Sequence, residues 1–388
     1  MKKSLLAYLL AAGVTTGSLQ AEEPFPIQFI ALGGGAQAAQ SAETSDDYDR
    51  PFGVTAIPSA SDNPACACEP EYRKVRQHHI PTNYAQASGL LMHRVGTGLD
   101  RVLVTEDGDS ALESSDLDDL TGGFQATLGW QLFGSAHHAV ELSYFGLYDW
   151  NQTATLTDPT NDLAIPAITG ILLANFDDAS VVDVRYNSDL YNAEFNYVRS
   201  FYYRGAKIDF LSGFRYVHLD ESFGITSDDT RTAPIIGAVA PGIGTYDVNA
   251  RNNLFGHQIG GRYTRPLGRW SLQTVGKGGI FLNDASTSQR LVDTFDITGP
   301  FPPAPMITDL AASADDRSVA ALGELGIFGR RQLTDTWALR VGYQATGIGG
   351  VALATNQATV LEPGTSSGID TSGFFFMHGG VFGLEAAW

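Results

Sequence analysis

The chain has 388 residues, of which 17% are charged and 43% hydrophobic, and its formal net charge is −19. That acidity excludes nucleic acid as a partner, because phosphate backbones are met by clustered lysine and arginine. Beyond the N-terminal leader no apolar run reaches the roughly 18 residues that mark a membrane-spanning helix. The two cysteines, Cys66 and Cys68, are one residue apart, which excludes a disulfide scaffold.

Residues 1–21 read as a secretory signal: Lys2 and Lys3, an apolar stretch over 5–14, then a polar boundary at Glu22 and Glu23. Leu19 departs from the small residue preferred near a cleavage site. Residues 22–84 are rich in Pro, Ala, Ser and Asp without sustained periodicity, which predicts a poorly ordered periplasmic tail. The basic island at 73–79 and the two cysteines lack a closed four-ligand set, so the tail reads as a solvated linker.

From residue 85 the pattern becomes a period-2 alternation, the signature of strands with one apolar face. Phe124, Ala126, Leu128 and Trp130 alternate with Gln125, Thr127 and Gln131. The same alternation recurs from Val140 to Trp150, Tyr191 to Tyr197, Ile208 to Tyr216, Phe255 to Tyr263, Trp270 to Ile280, Leu325 to Ile327 and Trp337 to Tyr343. A first strand near 85–94 and a last over 373–388 bring the number to ten; a further pair around 99–105 would make twelve. Short connections fall at 134–138, 203–205, 266–269 and 333–336. Long ones, rich in Asp, Ser, Thr, Pro and Gly, fall at 95–120, 151–183, 226–245, 290–317 and 356–372. Short turns at one end and long loops at the other are the layout of outer-membrane barrels, and ten strands leave both chain ends on the short-turn side.

Aromatics at strand ends point the same way. Trp130, Tyr202, Tyr203, Tyr263, Trp270, Trp337 and Trp388 lie near short turns or the C-terminus, and Trp150, Phe223 and Tyr246 lie toward the other ends. Trp and Tyr favour a membrane–water boundary, since part of each ring is apolar and part hydrogen-bonds. The last strand ends in Trp388 on its apolar set, below Leu384 and Phe382. An apolar strand with an open edge invites aggregation in water, whereas in lipid it must close onto a partner. Together these features predict an all-β, transmembrane, antiparallel up-and-down barrel over 85–388.

Three stretches carry a family resemblance. Residues 211–225 (LSGFRYVHLDESFGI), 252–262 (NNLFGHQIGGR) and 276–283 (GKGGIFLN) resemble the bacterial β-barrel porin family of the seventh type, over roughly 85–388. The resemblance implies an outer-membrane barrel of a Gram-negative-type envelope and leaves the solute open.

Motifs for chemistry do not survive their context. Residues 364–368 match a nucleophile-elbow pattern but lie in a Gly/Ser loop rather than between a strand and a helix. Residues 276–279 have no helix behind them to cradle a phosphate. The acids at 107, 109, 113, 116, 118 and 119 lack calcium-loop spacing and read as a solvated loop, as His137 and His138 read as an exposed turn. No Ser/His pair is placed for lipid chemistry, so no enzyme, cofactor or metal is expected.

The informative set is the inward phase. Its acids are Glu141, Asp149, Glu194, Asp209, Glu324 and Glu385, and its bases are Lys207, Arg215, Arg262, Lys277, Arg330 and Arg340. A balanced lumen in so narrow a barrel is either a salt-bridged plug or a tight, weakly selective path, and a loop such as 151–183 can fold into it. The first function expected is passive passage of small solutes or ions. The alternative is a non-conducting structural or surface-binding barrel acting through its long loops. The partners expected are outer-membrane lipid and the barrel assembly machinery, engaged through the C-terminal strand.

Overall fold

In the computed structural model the described residues are 83–95, 102–117, 120–132, 135, 137–166, 168, 174–229, 242–297, 304–358 and 368–388. The leader, nearly all of the N-terminal tail with Cys66 and Cys68, the acids at 118 and 119, and residues 364–367 of the elbow pattern lie outside them.

Ten strands close into one antiparallel ring: β1 (Asn83–Val95), β4 (Leu120–Gln131), β5 (His138–Thr157), β7 (Val181–Tyr203), β8 (Ala206–Asp229), β9 (Gly242–Leu267), β10 (Trp270–Ile297), β11 (Ala304–Gln332), β12 (Trp337–Val351) and β13 (Gly373–Ala387). Each pairs with its sequence neighbour in the ring, and β1 pairs with β13 to close it. The seam is zipped to the end of the chain, with Asn83 and Trp388 exchanging both backbone hydrogen bonds at 2.9 and 3.0 Å. No backbone edge is left open in the ring, as a barrel in lipid requires.

The turns follow from local chemistry. Between β7 and β8, Arg204 and Gly205 have φ of 48° and 77°, the paired positive values of a tight hairpin. Between β9 and β10, Gly268 supplies φ of 70°. At the seam Gly379 permits close approach, since a Cβ there would sit 2.0 Å from the Leu91 carbonyl oxygen. Gly379→Ala is therefore expected to weaken closure by about 1–3 kcal/mol, the usual range for overpacking. A reduced fraction of compact barrel in unheated SDS electrophoresis checks this.

Period-2 phase separates two faces. Along β10 the outward set is uncharged and, apart from Thr274, carries no polar side chain from Trp270 to Leu282, and it is polar from Asp284 to Arg290. The apolar part is long enough for a tilted strand, which needs about 9–11 residues to cross hydrocarbon. Leu142, Phe195, Phe214, Phe255, Leu325 and Phe382 continue this band around the ring, all exposed outward.

Two expectations about connections are corrected. Residues 151–157, 181–183, 226–229, 242–245, 290–297 and 304–317, expected in long loops, are strand: β5 and β7–β11 continue well past the apolar band. Apart from Ile243 and Ile307 their outward residues there are mostly polar or small, so composition alone resembles a loop, while alternate residues such as Ile225, Val248 and Leu291 are buried inside. The pair near 99–105 does not raise the ring to twelve. β2 (Val102–Glu106), β3 (Asp109–Glu113) and the two-residue β6 (Leu163–Ala164) form a separate three-stranded sheet. Its Leu103, Val104 and Leu112 share a core with Leu163, Ile165, Ile168 and Phe176 and with inward residues of β7–β10. The described residues of the connection, 158–166, 168 and 174–180, thus pack in the outer half of the barrel.

Candidate functional site: the barrel interior

The interior is filled in layers, beginning at the short-turn end. There Arg262 donates from both terminal nitrogens to Glu141 at 2.9 and 2.8 Å, and Tyr84 donates its hydroxyl to the same carboxylate. Asp209 lies 3.5 Å from Arg262 and 3.1 Å from Lys207, and accepts from Ser200 Oγ at 2.6 Å. Arg330 and Arg340 both donate to Glu385, Arg340 at 3.2 Å. These groups surround a cavity of about 290 Å³.

Above it lies a ring of four charges. Arg215 is 3.0 Å from Glu324 and 3.5 Å from Glu194, and Lys277 is 3.0 Å from Glu194 and 3.4 Å from Glu324. Register creates it: Glu194 faces Arg215 across β7 and β8, and Lys277 faces Glu324 across β10 and β11. Gln258 of β9, between the pairs, donates to Glu194 at 2.8 Å. Charges leave water at a large cost, met only when signs alternate and hydrogen bonds are complete. Two cations against two carboxylates meet the first condition.

The next layer is apolar. Phe145, Leu147, Trp150, Leu190, Val217, Leu219, Leu254, Phe281 and Phe375 belong to one buried cluster inside the ring. Within it the Arg94 guanidinium lies 4.7, 5.3 and 5.9 Å from the ring centroids of Phe375, Tyr186 and Trp150. Its terminal nitrogen donates to Glu221 at 2.7 Å, with both side chains fully buried. Glu221 also accepts from the backbone N–H of Ala354 at 2.9 Å. Ala354 opens α1 (Ala354–Gln357), a single turn that enters the barrel with Ala352 and Leu353, all buried. Asn252 fastens the same segment through both polar atoms of its amide, at 2.7 and 2.8 Å to Ala352.

Of the inward charges expected from alternation, Glu141, Glu194, Lys207, Asp209, Arg215, Arg262, Lys277, Glu324, Arg330, Arg340 and Glu385 face the interior. Asp149 does not. A β-bulge between Leu147 and Trp150, with Asp149 at φ 56°, reverses the phase of β5. Asp149 is exposed, its N–H donating to Asp189, and Trp150 turns inside at 2% exposure instead of joining a membrane girdle. Phe223 and Tyr246 are also inside. Tyr148, Tyr191 and His218 take that outward level instead, with ring centroids 6.5 and 4.7 Å apart. Trp130, Tyr203, Tyr263, Trp270, Trp337 and Trp388 are exposed on the outward side, whereas Tyr202, expected with them, shares the inward parity of Glu194 and Ser200, pairs with Lys207 and lines the interior cavity. Arg94 and Glu221 escaped the reading of the sequence, although each shares the parity of buried neighbours, Leu90 and Met92 for one, Leu219 and Phe223 for the other.

Beyond the apolar band, burial pushes the Asp293 carboxyl above its ordinary value, opposed by hydrogen bonds from Asn175. A raised folded-state value means that the stabilising proton is held below the unfolded value and lost as pH rises through the folded one. Asp293→Asn is expected to raise the denaturant midpoint at pH 7 and to leave it nearly unchanged at pH 3.

A family model described as Putative beta barrel porin-7 matches residues 99–361. Curated proteins show no match. Among solved structures, the chain is similar to the outer membrane protease OmpT from Escherichia coli, at 9% identity and TM-score 0.38, covering 79% of this chain and 96% of that one. A Pseudomonas aeruginosa FadL homologue matches at 11% identity and TM-score 0.28, over 80% and 91%. The P. putida toluene transporter TodX matches at 9% identity and TM-score 0.25, over 80% and 91%. Likeness at this level says nothing of activity.

Proposed function

The chain belongs to the beta barrel porin-7 family, and from that premise we propose that it is an integral outer-membrane barrel of a Gram-negative-type envelope, closed to diffusion in the state described. The carrying observation is the occupied interior: a buried four-charge ring, an apolar layer and the inward segment 352–358 succeed one another along the axis. Open aqueous channels belong to barrels of about 16–18 strands, and small ones are filled by side chains. The short turns face the periplasm and the extended β8–β11 wall stands outside the cell, available to surface contacts. The closing strand β13, ending at Trp388, is the segment offered to the assembly machinery. No catalytic step is part of this reading.

Passive diffusion of small solutes is the second reading, favoured by the family and by the cavity at the short-turn end. It requires both the charged ring and segment 352–358 to move. Planar-bilayer recording separates the two. The closed reading expects no unitary current steps from the purified protein at any voltage; reproducible steps would restore the diffusion pore.

A further inference from the structure

We infer that Arg330 and Arg340, at the short-turn end of the barrel, form a binding site for a small oxyanion. With Asp149 outside, the expected inward set leaves six cations facing five carboxylates. The surplus is local. Glu194 and Glu324 are committed to Arg215 and Lys277, and Glu141 and Asp209 to Arg262 and Lys207. Arg330 and Arg340 are direct cross-strand partners on β11 and β12 and share the single carboxylate of Glu385. Like charges facing each other across a strand pair destabilise it unless something neutralises them.

The donors are built and incomplete. Arg340 is 7% exposed, its guanidinium held 3.6 Å over the Phe328 ring and its terminal nitrogen bound to Gln273 at 2.7 Å. Its buried Nε has no hydrogen-bond partner among the described residues. Both arginines line the 290 Å³ cavity, whose floor is Lys277, Glu324 and Phe328. Tyr202, Lys207 and Ala387, beside the short turns, also line it, which places the entrance on the short-turn side. A buried guanidinium with an idle donor favours an acceptor with two or three oxygens, which a fork of N–H groups binds more strongly than a spherical halide. In an acidic chain, this pocket is where a carboxylate or phosphate finds excess positive charge. The surplus holds whether or not the barrel conducts, so the site stands apart from the closed-barrel reading.

The test is thermal unfolding of the detergent-purified full chain at constant ionic strength, with chloride replaced stepwise by acetate or by phosphate. A ligand of the folded state raises the midpoint with its concentration. A saturable rise with either oxyanion is expected, and which one acts tells carboxylate from phosphate. Arg340→Gln should shift half-saturation roughly tenfold higher, as for loss of a charge-assisted bond. Arg330→Gln, at the more exposed position, gives the same test should the first variant not fold. Arg290→Gln, in an outer ion pair with Asp309, should leave the curve unchanged. No saturable rise in the natural chain, or an equal rise in both pocket variants, would overturn the site.

Discussion

Arg215→Ala is expected to destabilise the barrel by about 3–5 kcal/mol, the range for removing one partner from a buried ion pair. Arg215 is 0% exposed and touches both Glu194 and Glu324, so its loss leaves two buried carboxylates facing Lys277 alone. Truncation also opens a void beneath Phe145, whose ring lies 5.7 Å from the guanidinium. The double variant Arg215→Met with Glu324→Gln keeps one cation against one carboxylate. It also removes Nε and Nη2 of Arg215, which have no hydrogen-bond partner among the described residues. It should recover most of the loss, since apolar replacement of buried ion pairs is often neutral or favourable. Denaturant midpoints of the single and double variants, read as a cycle, measure the coupling.

Glu221→Ala is expected to be comparably damaging and to free one segment selectively. Glu221 neutralises Arg94 within its aromatic surroundings and holds the Ala354 N–H. Its truncation takes from buried Arg94 the carboxylate 2.7 Å away, at a cost of about 3–5 kcal/mol. Segment 352–358 also loses an anchor while keeping those at Asn252, Gln289 and Asp370. Hydrogen exchange should therefore quicken at 354 and its neighbours more than in the β7–β8 ladder. Glu221→Gln keeps an acceptor for Ala354 while removing the charge. It should lower stability nearly as much but leave exchange at 354 closer to that of the natural chain. Equal quickening in both variants would mean that charge, not the backbone hydrogen bond, holds the segment.

Much of this arrangement was legible because alternation in a strand is strict. Once Phe214 is outward, Arg215 must be inward, and the same parity places Glu194, Lys277 and Glu324. Parity fails where a residue is inserted. Nothing in Leu147, Tyr148, Asp149 and Trp150 announces the bulge, so the aspartate and the tryptophan were each assigned the other's face. Phe223 and Tyr246 differ for another reason: their position toward a strand end suggests a membrane girdle, but both share the parity of buried residues. The outer parts of β10 and β11 resembled loops because a strand standing in water needs only small or occasional apolar residues on its inner face, such as Ala285 and Leu291. Segment 352–358 has no periodicity to read. Its placement rests on partners far away in sequence, Asn252, Glu221 and Gln289, which only the closed ring brings together.

The most direct test of a lipid-facing exterior around a sealed interior uses neighbouring alanines on β11. Ala320 is 1% exposed and points inward, and Ala321 points outward. In a background with Cys66 and Cys68 replaced by Ser, a spin label is placed at Ala320→Cys or Ala321→Cys and the protein is reconstituted in lipid. Collision with dissolved oxygen and with a polar nickel chelate is then measured. Oxygen should relax the label at 321 strongly while nickel does not, and neither should relax the label at 320. Ready access of nickel to 320 would mean a water-filled lumen, and equal behaviour of the two positions would mean that this strand does not divide lipid from a packed core.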